Sequence, residues 1–313
     1  MKRIITILIL VFAINIANAQ QLSLTSQYMM NNYILNPAIA GTANYIPINL
    51  NIRNQWMNIE GAPVTQSLSA HGYLGSNLGL GGVFFNDVTG PTRRTGMSVS
   101  LAYHVRLNKD YTRKLSFGLG GVFFQHYVNE SMLTTDEPED MSILNGFNNQ
   151  FCPDANFGVY FSETDRFYVG FSIMNLLEVK KDLFSLSHVI KNPVERTYYF
   201  HGGYTFKLGK SFGFEPSVLM QFQEQSPVQF DFNGRFSYKN LLWLGGSYRM
   251  KDAAVMMFAL DFKKFCIGYS YDLPLSEIKN HTSGSHEINL TYRIFRKDAF
   301  SKSEINNTYP LFN

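Results

Sequence analysis

The chain is poor in cysteine, tryptophan and charge. Its 313 residues include two Cys and two Trp, and 16% are Asp, Glu, Lys or Arg. Soluble domains carry about 25% charged residues, so this composition does not fit an ordinary soluble surface. The two cysteines, Cys152 and Cys266, lie far apart in sequence. We therefore expect two unpaired thiols, with a single disulfide as the alternative that export would permit.

Long apolar runs are missing after the N-terminus. No stretch beyond residue 19 approaches the roughly 18 apolar residues of a membrane-spanning helix. A membrane location would then require a closed barrel, the other structure that satisfies backbone hydrogen bonds in lipid. The first nineteen residues predict a secretory signal, because Lys2 and Arg3 precede an apolar core at Ile4–Ile14 and a small-residue cleavage site at Ala17–Ala19. Removing that signal lowers the formal net charge from +3 to +1, which argues against a nucleic-acid-binding surface.

Motifs for catalysis and metal binding are also scarce. Neither His-Glu-x-x-His nor Cys-x-x-Cys occurs. The glycines of a GLGG sequence are followed by Val-Phe-Phe rather than by a helix start, which excludes a phosphate-binding loop. An acidic cluster within Asp136–Asp140 lacks the ligand spacing of a calcium loop, so we interpret it as solvated. These absences predict a protein that is not an enzyme and has no cofactor or metal.

Alternation of apolar and polar residues is abundant. In Arg94–Leu107 (RTGMSVSLAYHVRL) apolar residues fall on every second position, and Val228–Tyr238 (VQFDFNGRFSY) repeats the pattern with charges on the other face. A period of two predicts a strand, and fourteen residues exceed the five or six that are usual in soluble proteins. Long strands with one apolar face and one charged face favour a transmembrane barrel with lipid outside and water inside.

Counting such segments between turn signals predicts an antiparallel barrel of about fourteen strands. The predicted strands are Ile46–Trp56, Val64–Leu74, Leu78–Phe85, Thr95–Leu107, Leu115–Val128, Ala155–Ser162, Phe167–Leu176, Thr197–Leu208, Phe212–Gln223, Val228–Tyr238, Leu242–Arg249, Val255–Phe262, Phe265–Tyr271 and His286–Phe295. Several connections are tight, whereas Asn129–Asp154, Glu178–Arg196 and Leu273–Ser285 are long. Outer-membrane barrels have short periplasmic turns and longer external loops, so the long connections are candidate surface contacts.

The polar faces of these strands predict the lining of the lumen. The residues on them are Asn49, Asn51, Arg53 and Gln55 in the first strand, Asp231, Asn233 and Arg235 in the tenth, and Glu287, Asn289, Thr291 and Arg293 in the last. Charges of both signs favour internal ion pairing or a plug over a strongly ion-selective pore, and a simple wetted wall is the alternative. His71, His104 and His201 are single polar residues within strands, and each is expected to form a hydrogen bond in the lumen.

Two further features stand out. The heptapeptide GLGGVFF occurs at Gly79–Phe85 and again at Gly118–Phe124, and we interpret it as two similar strands whose glycines relieve crowding or permit close approach from the lumen.

The segment Ser26–Gly41 (SQYMMNNYILNPAIAG) has no strict alternation. Its Asn36-Pro37-Ala38 predicts a turn, because proline keeps the preceding residue out of the helical region. This segment is expected either to fold into the lumen as a plug or to remain a periplasmic contact.

At these residues the chain resembles the PorP/SprF family of Bacteroidota outer-membrane proteins, which is associated with type IX secretion and gliding motility. The matching segments are QYMMNNYILNPAIAG (Gln27–Gly41), RNQW (Arg53–Trp56), GAPVTQ (Gly61–Gln66), PDANFGVY (Pro153–Tyr160), the glycine strands and GSHEINLTYRI (Gly284–Ile294). They extend over the mature chain in the family's order, although each alone is weak.

The resemblance implies a 14-stranded barrel without enzymatic activity, embedded in outer-membrane lipid. It implies a secreted surface partner, often a large adhesin with a type B C-terminal domain, and a possible connection to periplasmic, peptidoglycan-linked secretion components. Together with the residues it points to the Asn36–Gly41 turn, which includes Pro37, and to Arg53, Gln55 and Trp56 as partner-binding or plug residues.

The expected organisation is a signal peptide at 1–19, an N-terminal plug or periplasmic segment at 20–43, a barrel at 44–296 and a C-terminal tail at 297–313. The leading hypothesis is a partner-specific barrel that captures an exported protein through its outer loops or mouth. A passive porin or small-solute transporter is the rival, suggested by the polar lumen. A structural tether to the periplasmic machinery comes third, and a membrane enzyme last.

Overall fold

A computed structural model describes residues 25–109, 112–129, 132, 149–178, 195–224 and 226–295. The predicted signal peptide, the acidic cluster and the predicted C-terminal tail lie outside these residues. The described part contains fifteen strands: β1 Tyr45–Asn54, β2 Val64–Gly75, β3 Leu78–Thr89, β4 Thr92–Arg106, β5 Arg113–Val128, β6 Asn149–Glu163, β7 Phe167–Met174, β8 Thr197–Tyr204, β9 Phe206–Leu208, β10 Phe212–Gln223, β11 Ser226–Tyr238, β12 Leu242–Arg249, β13 Ala253–Phe262, β14 Phe265–Pro274 and β15 Ser285–Phe295.

These strands form one closed antiparallel barrel. Apart from β8 and β9, each strand pairs with its neighbour in sequence, and β1 pairs with β15 from Tyr45↔Phe295 to Asn54↔His286, which closes the sheet. Strands β8 and β9 both pair with β10 and lie end to end, so they occupy one position in the wall. The predicted fourteen-stranded barrel is therefore confirmed. Closure through β1 and β15 leaves neither of these terminal strands with a free edge in lipid, whereas the short β9 pairs only with β10.

The two faces of the wall differ as the alternation predicts. On β4, Met97, Val99, Leu101 and Tyr103 point outward and are 47–50% exposed, whereas the alternating Ser98, Ser100, Ala102 and His104 are buried inside. The same division recurs on the other strands, so apolar side chains cover the outside of the barrel. An apolar surface of this extent requires lipid around it. Among the described residues, none of the helices has the length and apolar content to cross a membrane.

The two ends of the barrel carry different connections. At one end, called the turn rim, all connections are short, and both Tyr45 at the start of β1 and Phe295 at the end of β15 lie there. Its two-residue turn Ser76–Asn77 has φ values of 51° and 66°, the left-handed pair of a tight hairpin. The opposite end, called the loop rim, carries the connections at 55–63, 129–148, 175–196 and 275–284.

Two predicted boundaries are corrected. The first strand ends at Asn54, so Gln55 and Trp56 belong to the loop that follows it. Trp56 has a φ of 47°, which interrupts the strand, and its N–H donates to Ser285 Oγ at 3.1 Å. Residues 149–154, predicted as loop, begin β6, because the ladder with β5 continues to Tyr127↔Asn149.

Candidate functional site

The lumen contains the described part of the N-terminal segment. Residues Thr25–Thr42, here called the plug segment, form three short 3₁₀ turns at Tyr28–Met30, Asn32–Leu35 and Pro37–Ile39. Asn36 is extended, as a residue before proline must be, and its side chain accepts the Ala38 N–H at 3.0 Å. Proline at the first position of the third turn has no N–H that would need a partner there.

The plug segment is more deeply buried than most of the wall. Tyr28, Tyr33, Leu35, Ala38 and Ala40 are each at most 5% exposed. Tyr28 and Leu35 pack with Tyr199 and Leu219 of the wall, and Tyr33 and Ala38 pack with Ala102 and Tyr160. Removing an aliphatic side chain such as Leu35 from water stabilises the packed state by roughly 1.5–3 kcal/mol. The apolar interior of this barrel is therefore built around the segment.

Inward-facing glycines make room for the plug segment. A Cβ on Gly79 would overlap the Ala40 carbonyl, one on Gly118 would overlap the Ala38 backbone, and one on Gly158 would overlap the Asn36 side chain. A Cβ on Gly81 would lie 2.6 Å from the Tyr33 ring. Glycines of both GLGGVFF copies thus permit close approach from the lumen, one of the two roles expected for them.

A buried charged cluster holds the start of the plug segment near the loop rim. This rim cluster consists of Arg53, Asp231, Arg249, Asp272 and Glu287, all at most 3% exposed. Arg53 pairs with Asp272 at 2.7 Å and with Glu287 at 3.0 Å, and Arg249 pairs with Asp231 at 3.3 Å. The cluster lies near the loop rim because β1 ends and β15 begins at that rim. Arg53 is the second-last residue of β1, and Glu287 is the third residue of β15.

Ser26 is the residue of the plug segment that the rim cluster surrounds. Its N–H donates to Glu287 Oε2 at 2.7 Å and its hydroxyl donates to Asp272 Oδ2 at 2.6 Å. The same hydroxyl oxygen accepts from Arg53 Nη1 at 2.8 Å and from Arg249 Nη2 at 3.1 Å. Glu287 also accepts from Thr25 and, at 2.7 Å, from Asn51. These charge-assisted bonds fix the segment to β1, β12, β14 and β15.

The other end of the plug segment is held near the turn rim. The Gly41 N–H donates to His71 Nδ1 at 3.1 Å, and a Cβ on Gly41 would meet Gly79 and Gly72 beside the Ser76–Asn77 turn. Midway, the Asn36 amide donates to the carbonyls of Val159 at 3.0 Å and Phe171 at 3.2 Å. The segment therefore runs the length of the lumen, from the loop rim at Ser26 to the turn rim at Gly41.

The structure separates the residues predicted for the site into groups. Asn36, Pro37 and Gly41 lie in the plug segment, and Arg53 contacts its start. Gln55 and Trp56 lie in the loop beyond Asn54 and outside this group.

Four predicted polar residues line the lumen in two places. Asp231 and Glu287 belong to the rim cluster. Arg235 and Arg293 lie toward the turn rim, where Arg235 pairs with Glu215 at 2.8 Å and lies 4.1 Å from the Trp243 ring. Arg293 pairs with Asp261 at 2.5 Å. Internal ion pairing and a lumenal segment thus occur together.

Sequence reasoning missed Ser26, Arg249 and Asp272. Arg249 and Asp272 occupy alternate inward positions near the ends of predicted strands, the signal by which Asp231 and Glu287 were found. Ser26 gave no such signal, because its partners lie up to 261 residues away in the sequence.

One sequence motif of catalytic type lies in the described residues, in the wrong structural context. A Gly-x-Ser-x-Gly sequence occurs at Gly209–Gly213, but it joins β9 to β10, and a nucleophile elbow requires a strand followed by a helix. No group of three or more His, Cys, Asp or Glu in the described ranges has the arrangement of a metal site. Cys152 and Cys266 are both buried and are not joined by a disulfide.

Comparison with known families decides the relationship. A family model described as "Type IX secretion system membrane protein PorP/SprF" matches residues 17–292. The chain belongs to the PorP/SprF family. It is therefore a membrane protein of the type IX secretion system. A comparison with curated proteins gives no match.

Solved structures similar to this PorP/SprF protein have low sequence identity to it. The toluene transporter TbuX of Ralstonia pickettii is 10% identical, with 89% of this chain and 95% of that chain covered and a TM-score of 0.50. The toluene transporter TodX of Pseudomonas putida is 11% identical, with coverage of 90% and 96% and a TM-score of 0.49. Omp33 of Acinetobacter baumannii is 7% identical, with coverage of 80% and 98% and a TM-score of 0.48. The likeness to TbuX supports the barrel fold alone.

Proposed function

We propose that this PorP/SprF protein is a non-enzymatic outer-membrane barrel that holds one secreted, adhesin-like protein through that protein's type B C-terminal domain. It supports export of the partner, its anchoring at the cell surface, or both. The predicted signal peptide directs the chain across the inner membrane. With the short turns in the periplasm, the loop rim faces the outside and receives the partner.

The plug segment is the observation that carries this proposal. It lies along the lumen, and inward glycines, apolar packing and the rim cluster all fit it closely. A passive porin needs an open aqueous channel, so a lumen built around its own chain favours a docking role over solute passage. The described connections at 55–63 and 275–284 lie at the loop rim, where a partner would dock.

Binding and export test the proposal together. Proteins that co-purify with the barrel from native membranes in mild detergent are identified first, and the C-terminal domain of the recovered surface protein is then made separately. We expect that domain to bind the purified barrel and its parent protein to be lost from the surface of a deletion strain. Normal export and anchoring in the deletion strain would contradict the proposal.

Conductance measurements test the rival hypothesis of a passive porin or small-solute transporter. We expect the purified barrel to show no steady, large conductance in a planar bilayer, because the plug segment remains in place. Steady conductance from native protein, with no partner recovered, would instead support a porin or small-solute transporter.

A periplasmic tether is the remaining alternative. It would have to use the turn rim, because the described part of the N-terminal segment is occupied by contacts inside the barrel. Loss of a periplasmic, peptidoglycan-linked partner after changes confined to the turn rim would support a tethering role beside the docking role.

A further inference from the structure

A cavity of about 240 Å³ lies between the plug segment and the loop rim. Its floor is formed by Tyr33, Ile34, Leu35 and Pro37 of the plug segment. Its walls come from the loop-rim halves of β1 to β8. Because the plug segment closes the floor, this mouth cavity is a dead end, suited to holding a group rather than passing it on.

The GLGGVFF repeat gives the mouth cavity an apolar wall. Strands β3 and β5 run in the same direction, so both copies place their glycines toward the turn rim and Val-Phe-Phe toward the loop rim. In each copy the valine and the last phenylalanine face inward: Val83, Phe85, Val122 and Phe124 all line the cavity. The Phe85 and Phe124 rings are 6.4 Å apart between centroids.

An apolar wall is unusual at this place. Lumen-facing residues of outer-membrane barrels are generally polar. Here Val122 and Phe124 are buried in one apolar cluster, and Val83 and Phe85 are half-buried beside the cavity. Met174 and Tyr199 extend the apolar lining on the opposite side, beside Leu35 of the floor. Leu35 and Tyr199 are already packed, whereas Val83, Phe85 and Met174 are half-buried, so an apolar group in the cavity adds buried apolar area.

Polar side chains border the same space. The Arg94–Asp87 pair, at 2.8 Å, contributes to the lining, together with Asn156 and Asn175. An apolar interior bounded by polar groups is the usual anatomy of a site that takes one apolar anchor and leaves the rest of its ligand in water.

We propose that the mouth cavity is a binding site for a single apolar group, between a leucine side chain and a one-ring hydrocarbon in size. A dry apolar cavity of about 150 Å³ holds benzene, so the available volume is sufficient. Two sources supply that chemistry. One is a side chain of the exported domain, in which case the inference rests on the proposed function; the other is a free hydrocarbon.

Two matched pairs of valine substitutions compare filling the cavity with an equal change on the outside of the barrel. The double variant Val83→Phe/Val122→Phe fills the cavity from its apolar wall. The control Val99→Phe/Val169→Phe makes the same changes on outward positions that are 48% and 41% exposed. Both variants must retain the heat-modifiable migration of a folded barrel on SDS gels before they are compared.

The first arm tests a free hydrocarbon. Crystals of the native protein and of both double variants are soaked in bromobenzene, and bromine is located by anomalous scattering. We expect a peak between Phe85, Phe124 and Leu35 in native and control crystals and none in the filled variant.

The second arm tests a side chain. We expect the filled variant to bind the partner's C-terminal domain at least tenfold more weakly than native protein, while the control binds equally well. No bromine peak, combined with unchanged binding by the filled variant, would overturn this inference and leave the proposed function intact. If native protein fails to bind the domain at all, the proposed function fails and the bromine peak alone decides the inference.

Discussion

At the scale of single residues, the rim cluster decides how firmly the plug segment is held. Glu287 is fully buried and accepts hydrogen bonds from Ser26, Asn51 and Arg53. Substituting one partner of a buried ion pair leaves the other charge without compensation. The resulting loss of stability exceeds the net contribution of the pair. The cluster therefore acts as one unit with the segment, and a single substitution disturbs every member.

Glu287→Ala is expected to destabilise the barrel by about 3–5 kcal/mol, because the buried donors of Ser26, Asn51 and Arg53 lose their acceptor while Arg53 keeps only Asp272 as a charged partner. Glu163→Ala is the matched control, since Glu163 pairs at 3.2 Å with Arg113 and Arg166, whose side chains are about half exposed at the turn rim. Exposed pairs contribute little, so its thermal unfolding should stay close to native. Equal unfolding temperatures for both variants would contradict the role assigned to the cluster.

At the scale of elements, the strands of the wall could be predicted from local sequence patterns, whereas the position of the plug segment could not. Boundaries such as Phe212–Gln223 and Leu242–Arg249 were predicted to the residue, because alternation and turn residues are local signals. The start of β6 was missed since its polar residues look loop-like, whereas pairing with β5 extends the strand. The position of the plug segment follows from contacts between residues far apart in sequence, and 3₁₀ turns have no long period to reveal them.

Gly118→Val is expected to displace the plug segment, because the added side chain would occupy the place of the Ala38 backbone. Gly121→Val is the control on the same strand. It faces outward, where an added Cβ meets only Phe123 at 3.5 Å. Planar-bilayer recordings should show conductance from Gly118→Val and none from Gly121→Val. A sealed and normally stable Gly118→Val barrel would show that the segment does not rest against β5.

At the scale of the whole molecule, the direction of the plug segment assigns its start to one side of the membrane. Ser26 lies among strand ends at the loop rim and Gly41 beside a turn at the turn rim, after which β1 begins at that same turn rim. The chain thus passes through the lumen once before it forms the wall. The N-terminal segment, considered from sequence as a possible periplasmic contact, begins its described course at the opposite side.

An epitope inserted between Gln21 and Leu22 should therefore be reached by antibody on intact cells. The same epitope between Lys263 and Lys264, in the turn that joins β13 to β14, should be reached only after the outer membrane is permeabilised. A third insertion beside Lys279, in the connection between β14 and β15, should behave like the first. Staining of the Gln21 insertion only after permeabilisation, with both other insertions as expected, would show that the segment is withdrawn toward the periplasm in cells. The lumen would then be free of its own chain, and the argument for a docking protein over a channel would lose its main support.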